Sequence, residues 1–265
     1  SYEACAEAAA WLRARLREPP RVALVCGSGL GALAQELRDP QSFDYAEIPH
    51  FPRSTVQGHA GRLVVGRLGS APCAVLQGRF HLYEGYSPAQ VVVPVRTLAL
   101  AGVHTLVLTN AAGSLQPHLG PGHLLVIRDH IDLAGLAGRS PLVGPNDDRW
   151  AGPEGAGFGG KGFGGMKGDC FVKEYKKDFF WGGKGEFWAA RHLGLRVLGL
   201  SLITNSAPGD DECDDDGGDD VMAGGAGPAT PTGHAEVLAA AQEGARHLRA
   251  LLVALAPKLD EPGRS

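Results

Sequence analysis

Val22-Ala-Leu-Val-Cys-Gly-Ser-Gly-Leu-Gly31 decides the fold: five apolar residues run without a polar break into a glycine-rich turn. A run with no polar face is the pattern of a strand buried on both sides of a parallel sheet. The turn after it bares backbone N–H groups, because glycine lets other groups come close. Working outward, the pattern recurs. Ala74-Val-Leu76, Leu106-Val-Leu108 and Leu195-Arg-Val-Leu-Gly-Leu-Ser-Leu-Ile203 are apolar runs, each flowing into a polar or glycine loop. Helical segments lie between some of them. Residues 3–17 put Ala8, Trp11, Leu12 and Leu16 on one face, and Pro19-Pro20 closes the segment. Ser87-Pro-Ala-Gln90 is a capping box with proline at the first helical position, opening a helix that runs to Ala101. Leu238, Ala241, Ala245, Leu248, Leu252 and Leu255 step by three and four, the stripe of a docked helix. The expected fold is α/β: a single domain, residues 1–265, with a central mixed, mostly parallel β-sheet flanked by helices. Chemistry in such sheets collects at the carboxyl ends of strands.

Composition narrows the function classes. The 265 residues carry 25 Lys and Arg against 29 Asp and Glu, a net charge of −4. That balance does not suit a protein that coats nucleic acid or an anionic membrane. Hydrophobic residues are 44% of the chain, enough for a sizeable core. The five cysteines, Cys5, Cys26, Cys73, Cys170 and Cys213, form no C-x-x-C pair, and their odd number argues against a disulfide framework. No apolar run approaches the ~18 residues of a membrane span. Glu7 interrupts the one stretch that could resemble a secretion signal. The expectation is a soluble, cytoplasmic protein with no nucleic-acid or membrane partner. Two segments break the α/β pattern. Residues 151–188 hold 12 glycines in 38 positions, and residues 206–233 include the acidic run Asp210–Asp220. Both read as divergent, low-complexity loops. A calcium loop fits the acidic run poorly, because Ala223 stands where the closing Glu would be.

Four loops carry candidate chemistry. Gly27-Ser-Gly-Leu-Gly31 can cradle an anion, with Ser28 adding a hydroxyl. The same residues, as Gly27-x-Gly29-x-x-Ala32 with Glu47 ~20 residues on, also satisfy a dinucleotide fingerprint. Gly78-Arg-Phe-His-Leu-Tyr-Glu-Gly-Tyr86 packs Arg79, His81, Tyr83 and Glu84 between two glycines. Arg79 can grip an oxyanion bidentately, His81 can donate to it, and Glu84 can fix the tautomer or charge of His81. Tyr83 offers a flat face and a hydroxyl to a sugar. Thr109-Asn-Ala-Ala-Gly-Ser114 is a second anion nest. Thr204-Asn205 ends a strand with an amide that can both donate and accept. His59 and His234 are further candidates, each equally readable as a structural histidine. No metal-ligand spacing occurs. Several anion-friendly loops at the ends of strands of one sheet point to one phosphate-sized pocket.

At this resolution of motif the chain resembles a known family. Cys26-Gly-Ser-Gly-Leu-Gly31, Ile48-Pro-His-Phe-Pro-Arg-Ser-Thr-Val-Gln-Gly-His-Ala-Gly61, Gln77-Gly-Arg-Phe-His-Leu-Tyr-Glu-Gly-Tyr86, Thr109-Asn-Ala-Ala-Gly113, Leu125-Val-Ile-Arg-Asp-His-Ile131, Gly144-Pro-Asn-Asp147 and Ala190 through Asn205 are similar to the trimeric, low-molecular-mass purine nucleoside phosphorylases. The likeness is near-continuous over residues 1–150, resumes over 189–205 and returns over 234–255. It implies cleavage of inosine and guanosine by inorganic phosphate to the free base and ribose 1-phosphate, in a homotrimer, with no cofactor. It assigns phosphate contacts to Ser28, His59, Arg79, His81, Asn110 and the backbone of Ala111, ribose contacts to Tyr83 and His234, and the base to Asn205. His81, Asn205 and His234 are the implied catalytic groups, with Glu84 in support. Asn at 205, where the related methylthioadenosine phosphorylases carry Asp, implies 6-oxopurines. The family's middle segment is longer and supplies a Phe and a Glu for the purine, a Met and a Ser. Residues 151–188 show no counterpart, and Glu186-Phe187 has reversed order, so no role is carried onto it. The alternatives are an inactive family member that keeps a phosphate- or nucleoside-binding site and, less favoured, a dinucleotide-binding protein.

Overall fold

The computed structural model describes residues 1–27, 30–56, 59–116, 118–128, 130, 135, 137–145, 147–150, 184–206 and 234–261. The low-complexity stretches 151–183 and 207–233 lie outside these residues. Seven strands form one sheet in the order β2-β3-β4-β1-β5-β7-β6. They are β1 (Val22–Cys26), β2 (Arg38–Asp44), β3 (Arg62–Leu68), β4 (Ala71–Gln77), β5 (Thr105–Ser114), β6 (Leu124–Ile127) and β7 (Arg196–Ser206). The four central strands β4, β1, β5 and β7 are mutually parallel, and antiparallel partners flank them. The expected mixed sheet is therefore present, with its parallel part at the centre.

The sequence explains that arrangement. Every residue of β1 is buried, as an unbroken apolar run in the middle of a parallel sheet requires. Alternate side chains feed two cores. Ala23, Val25, Leu76, Leu106 and Leu108 face α1 (Tyr2–Arg13), α3 (Val93–Leu100) and α4 (Lys184–His192) through Leu12, Leu98, Ala189 and Ala190. Leu24, Val75, Val107 and Leu200 face Leu248, Leu252 and Ala256 of α5 (His234–Asp260). The result is a sheet sandwiched between helical layers.

Several boundaries differ from expectation for local reasons. Helix α1 closes at Arg13, not at residue 17. Beyond it the amides of Arg15 and Leu16 both donate to the Leu12 carbonyl at 2.9 Å, and the Arg17 amide turns to the Gln41 side chain at 2.8 Å. The helix opened by Ser87 is two pieces, α2 (Pro88–Val91) and α3, divided at Val92. Pro94 has no N–H to continue the ladder across that point. Its capping box is present: the Ser87 hydroxyl accepts from the Gln90 amide, and Gln90 Oε1 accepts from the Ser87 amide at 2.9 Å. The chain after the Gly27 turn forms a 3₁₀ helix, Gly31–Glu36. Helix α4 begins inside the segment read as aperiodic loop, at Lys184.

Leu24 has no exposed surface and fills the core under α5. Leu24→Ala should lower unfolding stability by about 2–5 kcal/mol, the usual range for a buried leucine. Urea unfolding followed by circular dichroism tests this; an unchanged midpoint would contradict the burial.

Candidate active site

The parallel register puts the carboxyl ends of four strands side by side. Cys26 lies opposite Gln77, Val25 opposite Leu108, and Asn110 opposite Ser201. The loops that carry candidate chemistry all leave from this edge. At its centre the chains press together: a Cβ on Gly27 would lie 3.0 Å from the Thr109 carbonyl oxygen and 3.3 Å from the Asn110 Cα. The Thr109 hydroxyl ties the contact, donating to the Val25 carbonyl at 2.9 Å and accepting from the Gly27 amide at 3.3 Å.

Arg79 leaves β4 and turns inward. Its side chain is 3% exposed, its Nη2 donates to the Thr109 carbonyl at 2.5 Å, and its Nε lies 4.0 Å from Glu186 Oε1. Gly78 makes room for this turn with φ at +114°, and His59 packs directly on it. A Cβ at residue 78 would come within 2.7 Å of the His59 Cβ. The Tyr45 hydroxyl donates to the Gly78 carbonyl at 2.8 Å, and the Gly61 amide donates to the Gln77 carbonyl at 3.0 Å. These bonds dock the loop bearing His59 along the end of β4.

His59 and His81 then stack, ring centres 5.7 Å apart, and His81 stacks on Tyr83 at 4.5 Å. Glu84 organises this group. One carboxylate oxygen accepts from the His81 amide and faces His81 Nδ1, each at 2.8 Å. The other accepts from the Thr55 hydroxyl at 2.6 Å and the Thr55 amide at 3.2 Å. A carboxylate only accepts, so Nδ1 carries the proton and Nε2 is the edge left for a ligand. Burial pushes the Glu84 carboxyl up, but the hydrogen bonds from Thr55 and His81 together hold it below its ordinary value. His59 differs. Both ring nitrogens are shut away from solvent and have no hydrogen-bond partner among the described residues. Burial, then the neighbouring His81 and Arg79, lower its pKa, so the neutral ring is favoured. A buried imidazole lacking a partner, beside an arginine and a second histidine, is the environment an anion would complete.

Other expected residues fall at the same edge in different states. Asn110 is buried, with Oδ1 accepting from the Ser201 hydroxyl at 2.8 Å and Nδ2 donating to the Ala111 carbonyl at 2.9 Å. Its side chain therefore bridges β5 and β7 and keeps one amide hydrogen in reserve. Ala111 is exposed beside it. Asn205 lies opposite Gly113 near the end of β7, and its Oδ1 accepts from the Thr204 hydroxyl at 3.1 Å. Tyr83 is 75% exposed and presents its free face outward. His234 is the first residue of α5, where the backbone alone is described. Ser28 lies outside the described residues, as do the acidic run and its calcium reading. The structure thus gathers Arg79, His59, His81, Glu84 and Asn110, and sets Asn205 farther along the same edge.

Two residues escaped the sequence reading. Glu186 is a buried carboxylate beside Arg79; it shares a helix face with Ala189 and Ala190, three and four residues on, and that spacing was the available signal. Thr55 gave no signal, since its role depends on a contact with Glu84 29 residues away. The dinucleotide reading loses its support: a 3₁₀ helix follows β1, and the Glu47 carboxylate accepts from the Asp44 amide at 3.2 Å. Burial pushes the Cys26 thiol up to about 12, so it is no nucleophile despite its place in this edge. Among the described residues no group of three or more His, Cys, Asp or Glu side chains could hold a metal ion, and no helix is long and apolar enough to cross a membrane.

The profile of the phosphorylase superfamily matches residues 21–170. Purine nucleoside phosphorylase from Rattus norvegicus is 42% identical over 248 residues, covering 77% of this chain and 82% of the rat protein. A solved structure of isoform 2 of purine nucleoside phosphorylase from Schistosoma mansoni, in complex with cytosine and ribose-1-phosphate, matches with a TM-score of 0.75 at 29% identity. The match covers 98% of this chain and 97% of that one. A schistosoma purine nucleoside phosphorylase in complex with hypoxanthine matches with the same TM-score, 0.75, at 30% identity and 98% coverage of both chains.

The lowered pKa of His59 has a stability consequence. Below the ordinary histidine value of about 6.5 the unfolded chain takes up a proton that the folded chain refuses, so the His59 contribution is full above that pH and is lost as pH falls through it. Glu186, raised by burial, acts in the opposite sense. The isolating comparison is therefore His59→Gln against the parent: its melting temperature should fall less between pH 7.5 and pH 5.5. Parallel curves would show that His59 is not held neutral.

Proposed function

This chain belongs to the purine nucleoside phosphorylase family of the phosphorylase superfamily, a family of pentosyltransferase enzymes, and from that membership we propose that it carries out phosphorolysis of 6-oxopurine nucleosides in purine salvage. Inosine or guanosine and inorganic phosphate would give hypoxanthine or guanine and ribose 1-phosphate. The observation that carries this reading is the buried Arg79 guanidinium with His59 and His81 beside it at the edge of β4 and β5, both ring nitrogens of His59 lacking hydrogen-bond partners among the described residues. Phosphate is the co-substrate, and no cofactor is called for.

In the proposed reaction a phosphate oxygen forms a bond to C1′ of the sugar while the bond from C1′ to purine N9 breaks. The bonding pair leaves with the base, and the sugar passes through an oxocarbenium-like state. Arg79, His81 and His59, with Ser28, Asn110 and the backbone of Ala111, hold the phosphate. Fixed donors around it supply both positioning and charge compensation. Glu84 holds His81 through Nδ1 and so turns the Nε2 edge toward the anion. Tyr83 and His234 meet the ribose. Asn205 hydrogen-bonds the departing base, a bond that strengthens as negative charge builds on the purine and so acts on the transition state. An Asn amide can donate to a 6-oxo group and accept from a ring N–H, which is the basis for preferring inosine and guanosine. The reading extends to a cytoplasmic homotrimer on family grounds.

A coupled assay on the full chain tests this. Hypoxanthine should be released from inosine only when phosphate is present. Arg79→Ala should cut kcat/KM by about 10²–10³-fold, the scale for removing one donor to a reacting anion. Asn205→Asp should shift preference away from inosine and toward adenosine. A folded sample that binds phosphate without releasing base would replace this reading with that of a binding protein that has lost turnover.

A further inference from the structure

Glu186 is the buried carboxylate that the reaction above does not use. It lies on α4, with its side chain 5% exposed, 4.0 Å from Arg79 Nε. Arg79 and Glu186 are the two charged residues of a small cavity otherwise lined by apolar and glycine residues, among them Val25, Leu76, Phe80 and Val95. A carboxylate in such surroundings is strongly penalised unless a cation faces it, and a guanidinium equally so. Burial raises the Glu186 carboxyl above its ordinary value, and Arg79 and then His81 offset only part of that rise.

The guanidinium geometry gives this pair a further use. Nη2 is fixed on the Thr109 carbonyl, and Nε is buried without a hydrogen bond, facing Glu186 at a distance slightly too long for one. Nη1 makes no hydrogen bond among the described residues. One nitrogen is thus bonded to a protein acceptor, and a second lies beside a carboxylate at ion-pair distance. The third is the one left for an external oxyanion.

We propose that Glu186 is a positioning residue for Arg79: its carboxylate holds the Nε edge of the guanidinium, so that Nη1 is presented to phosphate in a fixed orientation. This rests on the phosphorolysis reading for the identity of the anion. Because α4 leads directly into β7, the strand that carries Asn205, the same helix anchors the phosphate-binding cation and the start of the strand bearing the base-binding amide. Glu186 touches neither substrate, and its effect passes through Arg79 alone.

The test uses the full chain. Glu186→Gln should raise the KM for phosphate about tenfold, the scale on which a supporting residue alters binding by the group it orients. The KM for inosine should stay unchanged. Glu186→Asp, which keeps the charge, should recover most of the phosphate affinity. In an Arg79→Gln background, Glu186→Gln should add no further loss. A merely structural role would lower the melting temperature and weaken both substrates alike, and that result, or an unchanged phosphate KM, overturns the inference. Should Glu186→Gln not fold, a crystal of the parent chain with phosphate answers instead. Arg79 Nε should remain on Glu186 while a terminal nitrogen contacts the anion; a guanidinium that leaves Glu186 overturns the proposal. A parent chain that neither turns over inosine nor binds phosphate overturns the phosphorolysis reading and this inference together. A parent that binds phosphate as tightly as Glu186→Gln overturns this inference alone.

Discussion

A guanidinium with almost no exposure to water sits across the carboxyl ends of β4 and β5, and much of the surrounding structure follows from keeping Arg79 there. A charge taken out of water must be met by acceptors in good geometry, or the fold loses several kcal/mol. The Thr109 carbonyl meets one side and the Glu186 carboxylate the other. Thr109 can offer its carbonyl because its hydroxyl is already spent on Val25 and Gly27, which locks β5 to β1. Gly78 is glycine because the chain must turn at positive φ and because His59 occupies the space a side chain would need. Residues from three strands, a helix and a loop are thus selected by one buried cation.

The parallel sheet makes this possible. Strands of one direction bring their ends to one edge, and the four central strands each contribute: Gly27, Gly78, Thr109 with Asn110, and Ser201 with Asn205. The two histidines complete a pocket built around one guanidinium. Burial and its neighbours favour the neutral ring of His59, His81 lies against Glu84, and Arg79 lies 4.0 Å from Glu186. Such a site offers directed N–H groups to an anion.

Much of this was legible in the sequence. The run Val22–Cys26 is the strand it was read as, residue for residue, because an unbroken apolar stretch before a glycine turn has few other solutions. Arg79, His81 and Glu84 stood out because three polar groups between two glycines are dense for a connector. The limits were equally physical. The hairpin β3–β4, with Gly69 at φ +64° between Leu68 and Ala71, carries a two-residue turn signal, but β3 and the edge strand β2 are short of apolar contrast and were not separated from loop. The split at Val92 depends on a single missing N–H. Glu186 takes no role from the sequence because Glu186-Phe187 stands in reversed order to the family's pair and in the wrong context. Its meaning appears only when α4 lays it against a residue 107 positions earlier in the chain. Contacts of that kind are products of packing, and local pattern does not encode them.

The carboxylate of Glu84 joins two stretches of chain that also meet through stacked rings and through the Tyr86 hydroxyl, which donates to the Arg53 carbonyl at 2.6 Å. Thr55 gives it two hydrogen bonds and His81 two more. If the segment carrying His59 were to lift, Glu84 would forfeit half of its donors at once, and the imidazole it steers would lose its bearing. The same carboxylate thus sets both the pose of the ring and the seat of the loop beside it.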